Sequence, residues 1–382
     1  TVPSWARRAW PGLVARLRLA CDWRILACGG GLFCGFVVLS GVLFMAIPRF
    51  QLDSGFAFDR LAAKKASTGF NDVLRFGDVN EIQQDNRVVL RIEVSDRSLL
   101  PPNPYWRMVV LDEYREGVFQ MSAALKRAAF RRPDTSFRIE GAEPAPRGAL
   151  SLWTFYMEPG VGRYLPLAGG FRRLYFAEPQ NCRWSPWLRL VALDRDPSSM
   201  KAYRVEGMAT GGSLFDGLTG VGIEDADTVR GSMAETGLPG RDEAVLKGIV
   251  AEIQDGRELS PEEFARAASV WLARRHAYSL KWELPAGEGD PLVRWLVSRE
   301  PGYCELFSSS LVLLARAAGH PARVVAGFVG GEWNGDYLLV RNSEAHAWCE
   351  LYLGRGRWLR VDPTNDGPRL LDGRGTEARA AG

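Results

Sequence analysis

Cys304, His346 and Asp362 are the residues of this 382-residue chain whose types and spacing could carry covalent chemistry. A cysteine thiolate attacks an amide or ester carbonyl. A histidine takes the thiol proton and later gives one to the leaving amine. An aspartate holds the imidazole in the useful tautomer and stabilises its charged form. Each residue also has a plainer explanation. A free cysteine often simply packs, a strand histidine is satisfied by its neighbours, and an aspartate before Pro363 suits a turn. The chain has only three histidines, which limits the partners open to Cys304.

The surrounding elements decide whether the three meet. Gly302-Tyr303-Cys304-Glu305 leads into LFSSSLVLLARAA and then Gly319. Leu306, Phe307, Leu311, Leu314 and Ala318 follow helical spacing, and Gly319 suits the left-handed position after a helix. Cys304 therefore falls in a first helical turn. There the unsatisfied N–H groups favour negative charge, and its own N–H is placed to bind an oxyanion. After Pro321 the period switches to strands at 323–329, 337–341, 345–353 and 357–361, separated by glycine-bearing loops. The last three predict an antiparallel meander, with His346 on the middle strand and Asp362 ending the next. Neighbouring strands would bring the two side by side across 16 residues of sequence (362 − 346). Upstream, 241–254 has helical spacing, and Ser260-Pro261-Glu262-Glu263 reads as a capping box opening a helix over 264–272.

Four blocks carry a resemblance: GYCE, RAAGHPARVVAGF, AHAWCE and WLRVDPT. In this order and spacing, over about 276–366, they resemble the core of the transglutaminase-like superfamily. GGEWN at 330–334 and DYLLVR at 336–341 are similar to its bacterial membrane-anchored branch. The resemblance implies a papain-like α+β fold, with a Cys-bearing helix packed on an antiparallel sheet. It also implies the roles Cys304 nucleophile, His346 base and Asp362 orienter. Members of that branch carry several membrane helices before an extracytoplasmic catalytic domain, and often another helix and a cytoplasmic tail after it. His320 stands where the family commonly has an apolar residue and reads as a surface turn residue, and His276 falls at a helix end. Trp333, Tyr337 and Trp348 are expected to line the substrate cleft, though Trp348 suits packing beneath the sheet equally well. Trp282 would help to wall the site.

Residues 25–47 contain no charge, and a helix of that length spans roughly 30 Å of hydrocarbon. A transmembrane helix is therefore expected at 25–48. Arg7, Arg8, Arg16, Arg18 and Arg24 precede it against Asp22, so 1–24 is read as a cytoplasmic basic segment. The rest then lies outside the bacterial inner membrane, in the periplasm. Residues 49–240 read as a β-rich accessory domain with strands at 87–94 and 106–114, followed by the catalytic domain at 241–370 and a flexible tail at 371–382. Cys21, Cys28 and Cys34 belong to the membrane region. Cys182, Cys304 and Cys349 are left outside, an odd number with at least one thiol unpaired within the chain.

Composition narrows the partners. The net charge is only +3, and nothing resembles a nucleic-acid footprint. No glycine-rich phosphate loop suggests a nucleotide, and no H-E-x-x-H or C-x-x-C suggests a metal. No cofactor is expected. The leading expectation is a membrane-anchored enzyme that forms a thioester at Cys304 from a protein or peptide amide. An amine acceptor would make it a transglutaminase, and water a peptidase or amidase. The competing expectation, from another class, is a catalytically silent extracytoplasmic module that binds peptides or envelope components.

Overall fold

The computed structural model describes residues 23–46, 69–141, 151–209, 231–354, 356–364 and 369–370. They belong to two compact units, Thr1–Lys64 and Lys65–Gly382. In the first, Trp23–Ala46 is a single helix of 24 residues. Leu32, Phe33, Phe36 and Leu39 on it are exposed. Its side chains are described without a break only over 27–41. That stretch rises about 22 Å, against about 30 Å for a hydrocarbon core. Among the described residues no helix is long and apolar enough to cross a membrane. Residues 1–22, 47–48 and the tail at 371–382 lie outside the described residues.

The second unit is a mixed α and β structure built on two main sheets. One has five antiparallel strands: β1 Tyr105–Leu111, β2 Ala322–Val329, β3 Ala345–Gly354, β4 Arg357–Asp362 and β5 Arg369–Leu370. Their order is β5-β4-β3-β2-β1. β1 reads YWRMVVL and is buried at every position, the near-continuous apolar run of a strand covered on both faces. Five helices position the site: α1 Asp78–Gln83, α2 Gly240–Gln254, α3 Pro261–Arg275, α4 Pro291–Val297 and α5 Cys304–Ala317. The α3 start is as its sequence predicts. Ser260 Oγ accepts from the Glu263 N–H at 3.3 Å, and the Glu263 carboxylate accepts from the Ser260 N–H at 2.9 Å.

α5 packs on β3 and β2 and is flanked by α2, α3 and α4. Every residue from Cys304 to Arg316 is buried. Its leucines bury apolar surface all round, and the small Ser308, Ser309 and Ser310 among them let neighbouring elements approach, so the helix runs through the interior. Arg316 fixes its far end. Its guanidinium donates to the backbone carbonyls of Ala322 (3.0 and 2.7 Å), Glu235 (3.0 Å) and Asp112 (2.7 Å).

The second sheet has seven strands, in the order Glu332–Asn334, Tyr337–Arg341, Val88–Val94, Leu152–Met157, Lys201–Glu206, Arg173–Phe176 and Arg138–Glu140. This corrects the expected three-strand meander. Tyr337–Arg341 pairs with Val88–Val94, Leu338 opposite Ile92 and Val340 opposite Leu90, and not with β3. A 3-10 turn at Asn342–Glu344, closed by the Arg341 N–H on the Glu344 carboxylate at 2.7 Å, redirects the chain between sheets. Alternating apolar residues announce which face of a strand is buried, but not which strand lies beside it. The exchange is mutual, since β1 comes from residues before 240 and joins the sheet of β2, β3 and β4.

Candidate active site

The register of β3 and β4 sets the geometry. Cys349 is opposite Val361, so position 362 faces 348 and His346 is the diagonal neighbour of Asp362. His346 Nε2 lies 2.7 Å from Asp362 Oδ2. The same carboxylate oxygen accepts from the Tyr105 hydroxyl at 2.9 Å. The other accepts from the Thr364 hydroxyl at 2.7 Å and the Thr364 N–H at 3.2 Å. Burial alone would push the Asp362 carboxyl up, but the charge of His346 and these donors hold it at about 2. Burial likewise pulls His346 down. The Asp362 charge and hydrogen bonds to Asp362 and Cys304 outweigh it and hold the imidazole well above its ordinary range. With Nε2 on Asp362, Nδ1 is the ring nitrogen left for the Cys304 sulfur.

Cys304 is the first residue of α5, follows the extended Tyr303, and is fully buried. The glycine before Tyr303 is required by packing: a Cβ on Gly302 would sit 2.5 Å from the Trp295 ring. A backbone bridge fixes the same turn, with the Gly302 N–H on the Ala277 carbonyl at 2.9 Å and the Ser279 N–H on the Gly302 carbonyl at 2.7 Å. Between them, the Tyr278 hydroxyl lies beside the Cys304 backbone and the Gln83 side chain. Gln83 Nε2 in turn donates to the carbonyl of Ala345, next to His346, at 2.6 Å. α1, which carries Gln83, is anchored by Glu305. The Glu305 carboxylate accepts from the N–H groups of Gly77 at 2.9 Å and Val79 at 2.8 Å. Burial pushes this carboxyl up to about 7.

A buried charged layer backs the site. Glu350 is hydrogen-bonded by Arg107 and by Arg323 at 2.9 Å, and the Arg323 guanidinium lies 3.8 Å from the Trp358 ring centre. Arg360 lies over the Tyr105 ring at 4.7 Å, which seats the phenol that donates to Asp362.

The structure thus brings Cys304, His346 and Asp362 together. The three aromatic residues expected to line the cleft are placed as follows. Trp348 is fully buried, its ring 5.0 Å from Tyr105. Trp333 and Tyr337 sit on the seven-stranded sheet, Trp333 under Arg97 at 4.2 Å and Tyr337 6.2 Å from the Tyr156 ring. Trp282 packs 4.8 Å from Tyr303, beside the nucleophile's turn. His276 is buried, with Nδ1 2.9 Å from the Glu300 carbonyl and its ring stacked on Trp295 at 3.9 Å, a packing role. His320 is half-buried against Phe264 at 5.4 Å. Cys182 and Cys349 are free and buried, and burial pushes Cys182 up to about 11 and Cys349 well above the ordinary thiol range. Among the described residues no group of three or more His, Cys, Asp or Glu is placed to hold a metal. Tyr105, Thr364, Tyr278, Gln83 and Glu305 were not singled out by the sequence; only Glu305 and Thr364, inside the blocks GYCE and WLRVDPT, carried a local signal.

Two family models match the chain: the TgpA N-terminal domain over residues 4–205 and the transglutaminase-like superfamily over 248–363. The first alone takes in more than half of the residues. The chain belongs to the TgpA family of bacterial transglutaminase-like proteins. A Pseudomonas aeruginosa protein named protein-glutamine gamma-glutamyltransferase is 46% identical over 90 residues, 23% of this chain and 13% of that protein. Bacillus subtilis YebA, an uncharacterised protein, is 38% identical over 87 residues, 21% of this chain and 12% of its own length. The matched stretches therefore span about an eighth of either curated relative. The periplasmic domain of TgpA from Pseudomonas aeruginosa, solved bound to ethylmercury, superposes with a TM-score of 0.60 at 21% identity. That likeness covers 78% of this chain and 97% of the domain, and it shows a shared fold.

Proposed function

We propose that this TgpA-family protein is a membrane-anchored cysteine acyl-transfer enzyme whose catalytic unit works in the periplasm on protein or peptide amides. Cys304 is the nucleophile, His346 the acid and base, and Asp362 the residue that orients the imidazole. The observation that carries the reading is the His346–Asp362 hydrogen bond at 2.7 Å, with Cys304 near enough to the imidazole to favour its charged form. Because Asp362 favours the charged ring, His346 is suited to take up the Cys304 proton as the sulfur attacks a carboxamide carbon.

The steps balance as follows. The Cys304 sulfur bonds to the amide carbon, and the oxygen takes up the negative charge beside the Cys304 N–H. That N–H points from the start of α5, where helix amides have no helical acceptor. The carbon–nitrogen bond breaks as His346 protonates the departing ammonia or amine, leaving a thioester. His346 then removes a proton from an incoming lysine amine, which takes the acyl group and frees the thiol. The relative's name, a glutamyltransferase, favours a glutamine donor and an amine acceptor. Membrane attachment through 25–48 is part of the same reading, resting on the 24-residue helix at Trp23–Ala46 and its exposed apolar side chains.

The test is incorporation of a fluorescent primary amine into a glutamine-rich donor protein, with ammonia release measured in parallel. The full chain should catalyse both, and Cys304→Ala should catalyse neither while melting at the parent's temperature. Activity surviving in a clean Cys304→Ala preparation would overturn the assignment. Ammonia release without amine incorporation would make the enzyme a hydrolase on the same thioester.

A further inference from the structure

A cavity of about 660 Å3 opens where α2, the following loop, α3 and the chain ahead of Pro301 meet. Arg257, Arg266, Arg274, Arg275 and Arg299 line it together with Trp271. Glu252 and Glu263 are its only acids, so the lining carries a net charge of +3 (five cations less two anions). Both acids are already engaged. Glu263 caps the Ser260 N–H at 2.9 Å, and Glu252 reaches Arg275 at 3.4 Å. Arg257, Arg266, Arg274 and Arg299 make no ion pair among the described residues. At the wall, Arg275 lies over the Trp271 ring at 4.5 Å, and the buried Nε1 of Trp271 and Nε of Arg275 have no acceptor.

A plainer explanation covers part of this. Arg274 and Arg275 sit in the last turn of α3, where cations complement the helix dipole. It does not cover Arg257, Arg266 and Arg299, which come from the loop after α2, the middle of α3 and the turn after α4. Three chain segments thus bring exposed arginines to one cavity. Glu263, whose carboxylate the Ser260 hydrogen bonds and the charges of Arg257 and Arg266 favour, offsets only part of that charge, so the cavity presents a positive field to an anion. Guanidinium groups hold phosphate oxygens through paired N–H donors, and their planar faces tolerate stacking on an indole.

We propose that this cavity binds a phosphate-bearing anion of more than one charge, with Arg257, Arg266, Arg274 and Arg299 as the ligating groups and Trp271 as its apolar wall. The volume is too large for one phosphate and admits a short polyphosphate or a phosphorylated headgroup. The assignment is independent of the role given to Cys304. Its position still bears on that role, because Arg275 and Arg299 flank the segments that pair at Tyr278 and Gly302 immediately before the nucleophile.

Calorimetric titration of the full chain with inorganic tripolyphosphate at physiological salt tests the site. The parent should bind, and Arg266→Ala combined with Arg274→Ala should weaken binding at least tenfold. Both side chains are exposed on α3 and alanine favours helix, so the fold should persist, which a melting curve checks. Arg127→Ala combined with Arg204→Ala removes the same charge from exposed positions elsewhere and should change affinity less than twofold. No binding by the parent, or equal weakening by both pairs, would overturn the proposal. Competition then assigns the source. Displacement by phosphatidylglycerol vesicles but not by phosphatidylcholine vesicles marks a lipid headgroup, and displacement only by long-chain polyphosphate marks a soluble ligand.

Discussion

Replacing Glu305 by glutamine should change stability in opposite directions at low and high pH. The carboxylate takes one backbone N–H on each oxygen, Gly77 at 2.9 Å and Val79 at 2.8 Å. Glutamine has one acceptor oxygen, so one of those N–H groups would face an amide NH2 and lose its bond. A buried donor left without a partner costs about 1–3 kcal/mol. The opposing effect is the charge. Burial raises this carboxyl from its ordinary 4.5 to about 7, with the Tyr303 hydroxyl and the two N–H groups only partly offsetting it. Between those values the folded protein holds a proton that the unfolded chain has released, so the parent loses stability as pH climbs from about 4.5 to about 7. At 1.36 kcal/mol per pKa unit the loss is about 3 kcal/mol, and glutamine, which does not titrate, escapes it. The parent should therefore be more stable than Glu305→Gln by about 1–2 kcal/mol at pH 5 and less stable by about 1 kcal/mol at pH 8. Urea unfolding followed by tryptophan fluorescence at four pH values between these limits measures the difference. A gap that stays constant across the range refutes the reasoning.

Asp362→Asn should lower kcat by roughly 100-fold or more with KM little changed. It should also draw the alkaline limb of the kcat/KM profile toward neutrality, because Asp362 is what holds His346 charged above its ordinary range; an unmoved limb in the variant counts against the pair. Gly302→Ala should destabilise by about 1–3 kcal/mol, since its methyl would meet the buried Trp295 ring at 2.5 Å, and a urea midpoint equal to the parent's would show that the ring gives way freely. Arg316→Ala strips donors from the carbonyls of Ala322, Glu235 and Asp112 and should cost about 3 kcal/mol or more in the same assay.

What the sequence revealed follows a physical division. The start of α5 at Cys304, the capping box at Ser260 and the strand that carries His346 rest on local chemistry, and local chemistry is written in adjacent residues. The pairing of Asp362 with His346 was also readable, because β3 and β4 are joined by a short loop and have little choice of neighbour. Tyr105 was not readable. It is one aromatic in a buried strand, and its bond to Asp362 spans 257 residues. Gln83 and Glu305 are similar, since a glutamine and a glutamate look like surface residues until the fold places α1 against the start of α5. The strand at Tyr337–Arg341 went to the unexpected sheet because its alternation fits either partner equally well.

The exchange of strands between the two sheets sets the order in which this chain can become a protein. β1 ends at Leu111 and its partner β2 begins at Ala322, 211 residues later (322 − 111). At about 5–20 residues per second, a ribosome needs roughly 10–40 s to deliver that partner. Through this interval the seven-residue strand YWRMVVL, buried on both faces in the finished fold, waits without its neighbour. The seven-stranded sheet waits too, because its Tyr337–Arg341 and Glu332–Asn334 strands arrive still later. The last strand of the seven-stranded sheet ends at Arg341, before β3 begins at Ala345, so the five-stranded sheet that carries His346 and Asp362 is the later of the two to close. A fragment beginning at 241 would emerge with the β2 edge bare and Glu350 short of Arg107.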